Sequence, residues 1–551
     1  MLAAPPLVFL TLFFLWPVLA ILERGLRPAG RVDLGVVVDV LTDPTVARVA
    51  WFTLWESALS TIACIVIGLP GAALFARVAF RGRRTLWSLL LVPFVMPTVV
   101  VATAFIVLIG PSGVTGVSLT GTIWAILIAH VFFNYAVVVR TVGAAWMTLD
   151  DRTVEAARTL GASPVRAFLS VTLPQLRAAI AAAASVVFLF SFTSFGVVLL
   201  LGGVRQRTLE VEIYDQTARF LHLDVAAVLA ILQLIGVVLV LVLLGRLRSG
   251  HGRSGTAVVG ADLRAGREQL RPPASLGARL FLLINLAVMG AVLAAPLVVL
   301  VIRSLSTAQG WGFAAYRALG SARRGSTAFI DPTDALGNSL RFATVTMILA
   351  VLLGACGAWA IAGRGTPRGR SNGGRGPRFG GAAELALMVP LGASAVTVGF
   401  GCLIALDRPP LDLRTSWWML PIAHTVIALP FVISVLVPGI RSVDGRLLDA
   451  AASLGASRLG VWWRVELPLV RRSLLVAAGF AFAISLGEFG ATAFLVRADD
   501  PTLPIAIGRA LGRPGGDSFS QALALSVILL VVTAVVVLAV DRLRPIRGAE
   551  F

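Results

Sequence analysis

The chain has 551 residues, 58% of them hydrophobic and only 14% charged, with a formal net charge of +19. That composition belongs to a polytopic membrane protein and excludes a soluble globular enzyme. All 47 basic residues are arginine, which excludes a Walker A loop and Schiff-base chemistry, because both need a lysine.

A helix needs about 20 apolar residues to cross roughly 30 Å of hydrocarbon. Twelve windows qualify, at about 4–22, 53–76, 87–109, 121–140, 178–202, 225–245, 279–302, 340–362, 383–406, 417–440, 474–496 and 520–540. The first lacks a basic leader and a small-residue cleavage site, so it is expected to stay as a span. The windows fall into six plus six. They predict an all-α integral membrane fold of twelve transmembrane helices, arranged as two tandem six-helix domains related by pseudo-two-fold symmetry. The first half is placed at 1–245, a Gly, Arg and Pro-rich cytoplasmic linker at 246–278, and the second half at 279–551. The stretch 364–378 reads as a second basic loop.

Arginine placement sets the orientation. Loop 77–86 has four arginines in ten residues, while loop 110–120 has none. Both termini are therefore expected in the cytoplasm, in a multi-pass protein of the cell membrane. The positive charge is read as loops facing anionic membrane lipid, with no nucleic-acid partner. Cys64, Cys356 and Cys402 each lie in apolar runs and read as small buried or lipid-facing residues.

One phrase occurs twice. Residues 155–163 read EAARTLGAS and residues 449–457 read DAAASLGAS, with six of nine positions identical at a spacing of 294. The register extends without a gap, pairing His130 with His424, Asp150 with Asp444, Arg152 with Arg446 and Pro174 with Pro468. Such a period means two equivalent halves. In the first copy an aspartate at 150 or 151 is placed to cap a short helix ending at Leu160. Gly161 is placed to reverse the chain, and Ser163-Pro164 to open a second helix. Pro174 is expected to break or kink that helix before the next span. The even span number puts both copies on the cytoplasmic face.

An acidic residue, two alanines and a later glycine resemble the signature of ABC-importer permeases. The matching residues are Glu155, Ala156, Ala157 and Gly161, and then Asp449, Ala450, Ala451 and Gly455, with aspartate where that family usually has glutamate. The resemblance covers nearly the whole chain. It implies coupling helices at about 149–172 and 443–466 that dock on two copies of an ABC ATPase subunit, and an extracytoplasmic solute-binding protein outside. It also implies that the chain is not itself an enzyme. No cofactor is expected in it, since ATP and magnesium would be bound by the partner. Segments 191–203 and 208–218 look more like the thiamine-type than the ferric-iron-type fused permeases. Thiamine or a phosphorylated form is therefore the leading solute, with ferric iron second. The alternative from another class is a self-sufficient secondary transporter.

An ionisable group inside a span is costly and marks a pathway or a partner. Glu488 is the clearest case, and its first-half equivalent is Ser194. His130 and His424 sit mid-span, as protonatable gate residues or as neutral interhelical bonds. Phe192, Phe195 and Phe489 are candidates for a constriction. Glu56 reads as interfacial. Residues 203–224, with Glu210, Glu212, Tyr214 and Asp215, read as an amphipathic helix lying on the outer membrane surface. Four histidines without a close carboxylate cluster argue against a metal site.

Overall fold

The structure, a computed structural model, describes residues 2–27, 33–249, 270–307, 310–321, 332–362, 384–407, 411–497, 499–513 and 515–543. The loop at 364–378 and most of the 246–278 linker lie outside the described residues. Ten helices are long and apolar enough to cross a membrane: Ala4–Leu26, Pro44–Arg77, Ile123–Met147, Pro164–Phe192, Leu223–Leu243, Leu276–Ser304, Pro332–Ile361, Met419–Arg441, Arg458–Gly487 and Gly516–Val540. The windows at 87–109 and 383–406 are not straight. Each is a pair of helices bent by 99°, Arg83–Val95 with Thr98–Ile109 and Glu384–Gly392 with Ala395–Ala405. At the first bend Pro97 supplies no N–H; at the second, Ser394 restarts the helix by accepting from the Thr397 N–H at 2.9 Å.

The window at 178–202 also differs. Its helix begins at Pro164 and ends at Phe192, and after a short break it resumes as Gly196–Leu201. The second half repeats this, with Arg458–Gly487 followed by Gly490–Leu495. The two breaks meet each other and the bends: the second-half break lies on Pro97, and the first-half break on Thr98 and Phe489. A Cβ on Gly487 would lie 3.1 Å from Pro97, and one on Gly196 would meet the Thr98 side chain and Phe489. Only glycine lets those backbones approach so closely.

Pro174 and Pro468 do not break their helices. A π-helical turn precedes each, Phe168–Thr172 and Trp462–Glu466, and the helix continues. The same device occurs at Thr11–Leu15 before Pro17 and at Gly290–Ala294 before Pro296. A proline ring clashes with the carbonyl four residues back and has no N–H to give it. The wider π turn moves that carbonyl aside, and the residue before each proline donates to the carbonyl five back. Thus the second helix of the repeated phrase is the first turn of the span itself.

The first span of each half lies against the other half. Ala4–Leu26 packs on Ala395–Ala405, and a Cβ on Gly401 would sit 3.0 Å from Pro17. Cys402 contacts the Phe13 carbonyl at 3.9 Å. Reciprocally, Leu276–Ser304 packs on Thr98–Ile109. The hydrophobic interior is correspondingly continuous across both sequence halves, from Ile21 through Phe105 to Leu529.

Candidate functional site

The two copies of the repeated phrase fold alike, for local reasons. In the first, Arg152–Thr159 is helical, and the Asp150 carboxylate accepts from the Arg152 N–H at 2.9 Å. Gly161 then takes φ 88°. The Gly161 N–H donates to the Arg158 carbonyl, and the Ala162 N–H to the Ala157 carbonyl, both at 3.0 Å. In the second copy Gly445–Ser453 is helical and Gly455 has φ 85°. Gly455 donates to Ala452 and Ala456 to Ala451, at 3.0 and 3.2 Å. This is the Schellman ending, which needs glycine at the left-handed position. It gives the spacing of the second alanine and the glycine a physical reason, because Ala157 and Ala451 supply the carbonyl that closes the loop. Ser163 and Ser457 then cap the following spans.

Each unit presents an apolar knob. Leu160 and Leu454, beside the glycines, are both 89% exposed, and Val165 and Leu459 are 67% and 66% exposed. Ala156 and Ala450 are exposed, Ala157 and Ala451 half-buried, and Glu155 and Asp449 face outward. The matched knobs, set on rigid turns, form a pair of unpartnered surfaces on one face of the molecule.

From that same face a cavity of about 2040 Å³ runs between the halves. Its mouth is lined by Arg83, Arg84, Arg441, Arg471, Arg472 and Arg542, and its head by His130, Ser194, Phe195, Glu488 and Phe489. Phe195 and Phe489 close the head, stacked with centroids 5.7 Å apart. Behind them Tyr214 meets Phe195 at 5.3 Å and Phe494 at 5.5 Å. Phe192 is not part of this constriction. It is buried in a lateral cluster with Leu189 and Val237, beside Gly236.

Glu56 is not interfacial. It is fully buried and lies 2.8 Å from His130 Nδ1. Ser60 Oγ donates to Glu56 at 2.7 Å, and His130 Nε2 reaches Ser194 Oγ at 2.9 Å. In the second half, Glu488 receives the Ala491 and Thr492 N–H groups at 3.0 and 2.9 Å, and so caps the helix after the break. His424 Nε2 lies 2.9 Å from Thr492 Oγ1 and 3.3 Å from Glu488, while its Nδ1 meets Ser485 Oγ at 2.8 Å. Each histidine therefore has one carboxylate beside it. Among the described residues no group of three or more His, Cys, Asp or Glu side chains is placed to hold a metal ion.

The helix at Leu209–Ala218 is not laid on the surface. Glu210, Glu212 and Asp215 are buried. Arg207 lies 3.2 Å and Arg219 3.0 Å from Asp215. Burial pushes the Asp215 carboxyl up, and Arg219 and Arg207 pull it back. Arginines accompany Glu212 and Asp215 inside, and Gln233 donates to Glu210 at 3.0 Å.

The family described as binding-protein-dependent transport system inner membrane component matches residues 65–249 and again 376–546. The chain belongs to that family. It is 26% identical over 98% of its length to the probable ABC transporter permease protein y4fN of Sinorhizobium fredii, covering 95% of that protein. It is 28% identical over 92% of its length to the thiamine transport system permease protein ThiP of Brucella abortus, covering 89% of it. A shorter match, 27% identical over 39% of this chain and 77% of the relative, is to the putative 2-aminoethylphosphonate transport system permease protein PhnV of Salmonella typhimurium. The chain is accordingly an ABC importer permease with two fused permease units. It is a multi-pass membrane subunit without catalytic activity of its own, which displaces the secondary-transporter reading.

Proposed function

We propose that this permease carries thiamine or a phosphorylated form of it inward, by alternating access driven at Glu155–Gly161 and Asp449–Gly455. The observation that carries the mechanism is the course of the cavity, from the face bearing both coupling helices to the Phe195–Phe489 stack. With the termini and coupling helices in the cytoplasm, the molecule is inward-facing. Two ATPase subunits seat Leu160 and Leu454 in their grooves. Closing on ATP, they draw the two levers together and part the stacked phenylalanines, so that solute from the binding protein enters. Nucleotide and magnesium stay with the ATPase.

Similarity to thiamine permeases over nearly the full chain supports the solute, as does the chemistry of the wall. The aromatic head offers faces to a planar ring, and the arginine mouth offers donors to phosphate. Ferric iron finds less, because hard cations take several free oxygens. Both Glu488 oxygens are engaged, and Glu384 lies 3.9 Å from Arg441. Reconstitution with its ATPase and binding protein tests the reading. Labelled thiamine should accumulate with ATP and be competed by thiamine monophosphate. Uptake of ferric ion or 2-aminoethylphosphonate instead of thiamine would refute the solute and leave the coupling intact.

A further inference from the structure

The end of the linker returns to the first coupling unit. The Arg271 N–H donates to the Arg77 carbonyl, and the Ala79 N–H donates to the Arg271 carbonyl, both at 3.0 Å. Val78 and Arg271 thereby form a parallel bridge just beyond the Pro44–Arg77 span. From this anchored backbone the Arg271 side chain reaches Glu155, the acid of the repeated phrase, with Nη2 2.8 Å from Oε1. Arg77, at the root of the bridge, pairs with Asp151 at 2.8 Å, just before the same helix.

An isolated exposed ion pair contributes little. This one differs in two ways. Its cation grows from a backbone held by main-chain bonds on both sides, which fixes where the arginine stands relative to Glu155. It also stands on the surface that the coupling reading assigns to the ATPase, with Arg271 71% and Glu155 58% exposed. A guanidinium carries five N–H donors, and the contact with Glu155 engages one nitrogen. With the side chain 71% exposed, the remaining donors are open to another partner.

We propose that Arg271 is a contact residue for the ATPase at the first half, pairing with an acidic side chain on the rim of that subunit's groove. This rests on the coupling role of Glu155. The two docking faces are alike in their apolar knobs. An ATPase at the first face meets a preformed Arg–Glu pair, and its hold there weakens with salt.

The test uses the full permease in complex with its ATPase, comparing Arg271→Glu, Glu155→Arg and the double exchange. Retention of ATPase on the purified permease is measured across salt, with solute uptake alongside and Asp449→Arg as the second-face control. Arg271→Glu should weaken retention about two- to fivefold at low salt, with a smaller loss at high salt. The double exchange should recover the part of the loss that comes from the broken pair. Should Arg271→Glu leave retention and its salt dependence unchanged while Glu155→Arg weakens them, the assignment of Arg271 is overturned. If neither Glu155→Arg nor Asp449→Arg affects retention, the coupling reading itself fails, and the inference falls with it.

Discussion

His130 and His424 stand at equivalent positions, yet each turns the opposite ring nitrogen to its carboxylate. Nδ1 of His130 faces Glu56 at 2.8 Å, and Nε2 of His424 faces Glu488 at 3.3 Å. The other ring nitrogen lies 2.9 Å from Ser194 Oγ in the first half and 2.8 Å from Ser485 Oγ in the second. The acids come from different helices. Position 488 matches Ser194, and position 56 matches Ala350. Each half thus keeps a buried histidine–carboxylate pair, but only the second exposes its acid to the cavity.

Removing one member of such a pair leaves a polar partner buried without its hydrogen bond, at a cost of about 1–3 kcal/mol. Glu56→Ala should therefore lower the thermal unfolding midpoint of the detergent-solubilised chain sharply. The double variant Glu56→Ala, His130→Ala should recover much of the loss. A midpoint as low in the double as the sum of the singles predicts would show that the two residues do not act as a pair.

Gly161 and Gly455 have open space where a Cβ would go, so replacing them strains the backbone and displaces nothing. A left-handed non-glycine residue costs roughly 1–2 kcal/mol, too little to unfold the protein. The double variant Gly161→Val, Gly455→Val should insert in the membrane at normal levels and lose ATP-driven uptake. Unimpaired uptake would contradict the role given to the two turns.

Pro174 and Pro468 hold their π turns open. With Pro174→Ala and Pro468→Ala, an ordinary α-helical turn becomes available, and the lever rotates by about 100° relative to its span. Thermal stability should be kept or raised while uptake falls. Cysteine cross-linking from position 160 to the ATPase should report the rotation; an unaltered cross-linking pattern with full uptake would argue that the π turns are incidental.

The stacked rings at the cavity head should bar entry from outside. A cysteine at position 194 is expected to resist a membrane-impermeant thiol reagent added externally without ATP, and to react when Phe195→Ala and Phe489→Ala are combined with it. Equal labelling in both backgrounds would place the barrier elsewhere.

What the sequence made legible was whatever repeats or runs locally. The phrase at 155–163 and its second copy gave the two helix and glycine-turn units, because cap, helix and turn all lie within a dozen residues. Hydropathy found the apolar windows and not the 99° bends, since a bend at Pro97 or Ser394 leaves the apolar count unchanged. Glu56 was misplaced because its partner lies 74 residues away, at His130. Burial of Glu212 and Asp215 was likewise hidden in the reach of Arg207 and Arg219. Phe192 was grouped with Phe195 by proximity in sequence, but the break at Thr193–Phe195 sends the two rings to different clusters.

Because Ala4–Leu26 lies on Ala395–Ala405 and Leu276–Ser304 on Thr98–Ile109, the halves are interlocked like two hooked fingers. Under the proposed mechanism neither could swing without dragging the other's leading helix, and a push on one coupling unit would be shared by both walls before the passage widened. Cutting away the opening helix would accordingly cripple the far half first, the one whose own sequence was left untouched.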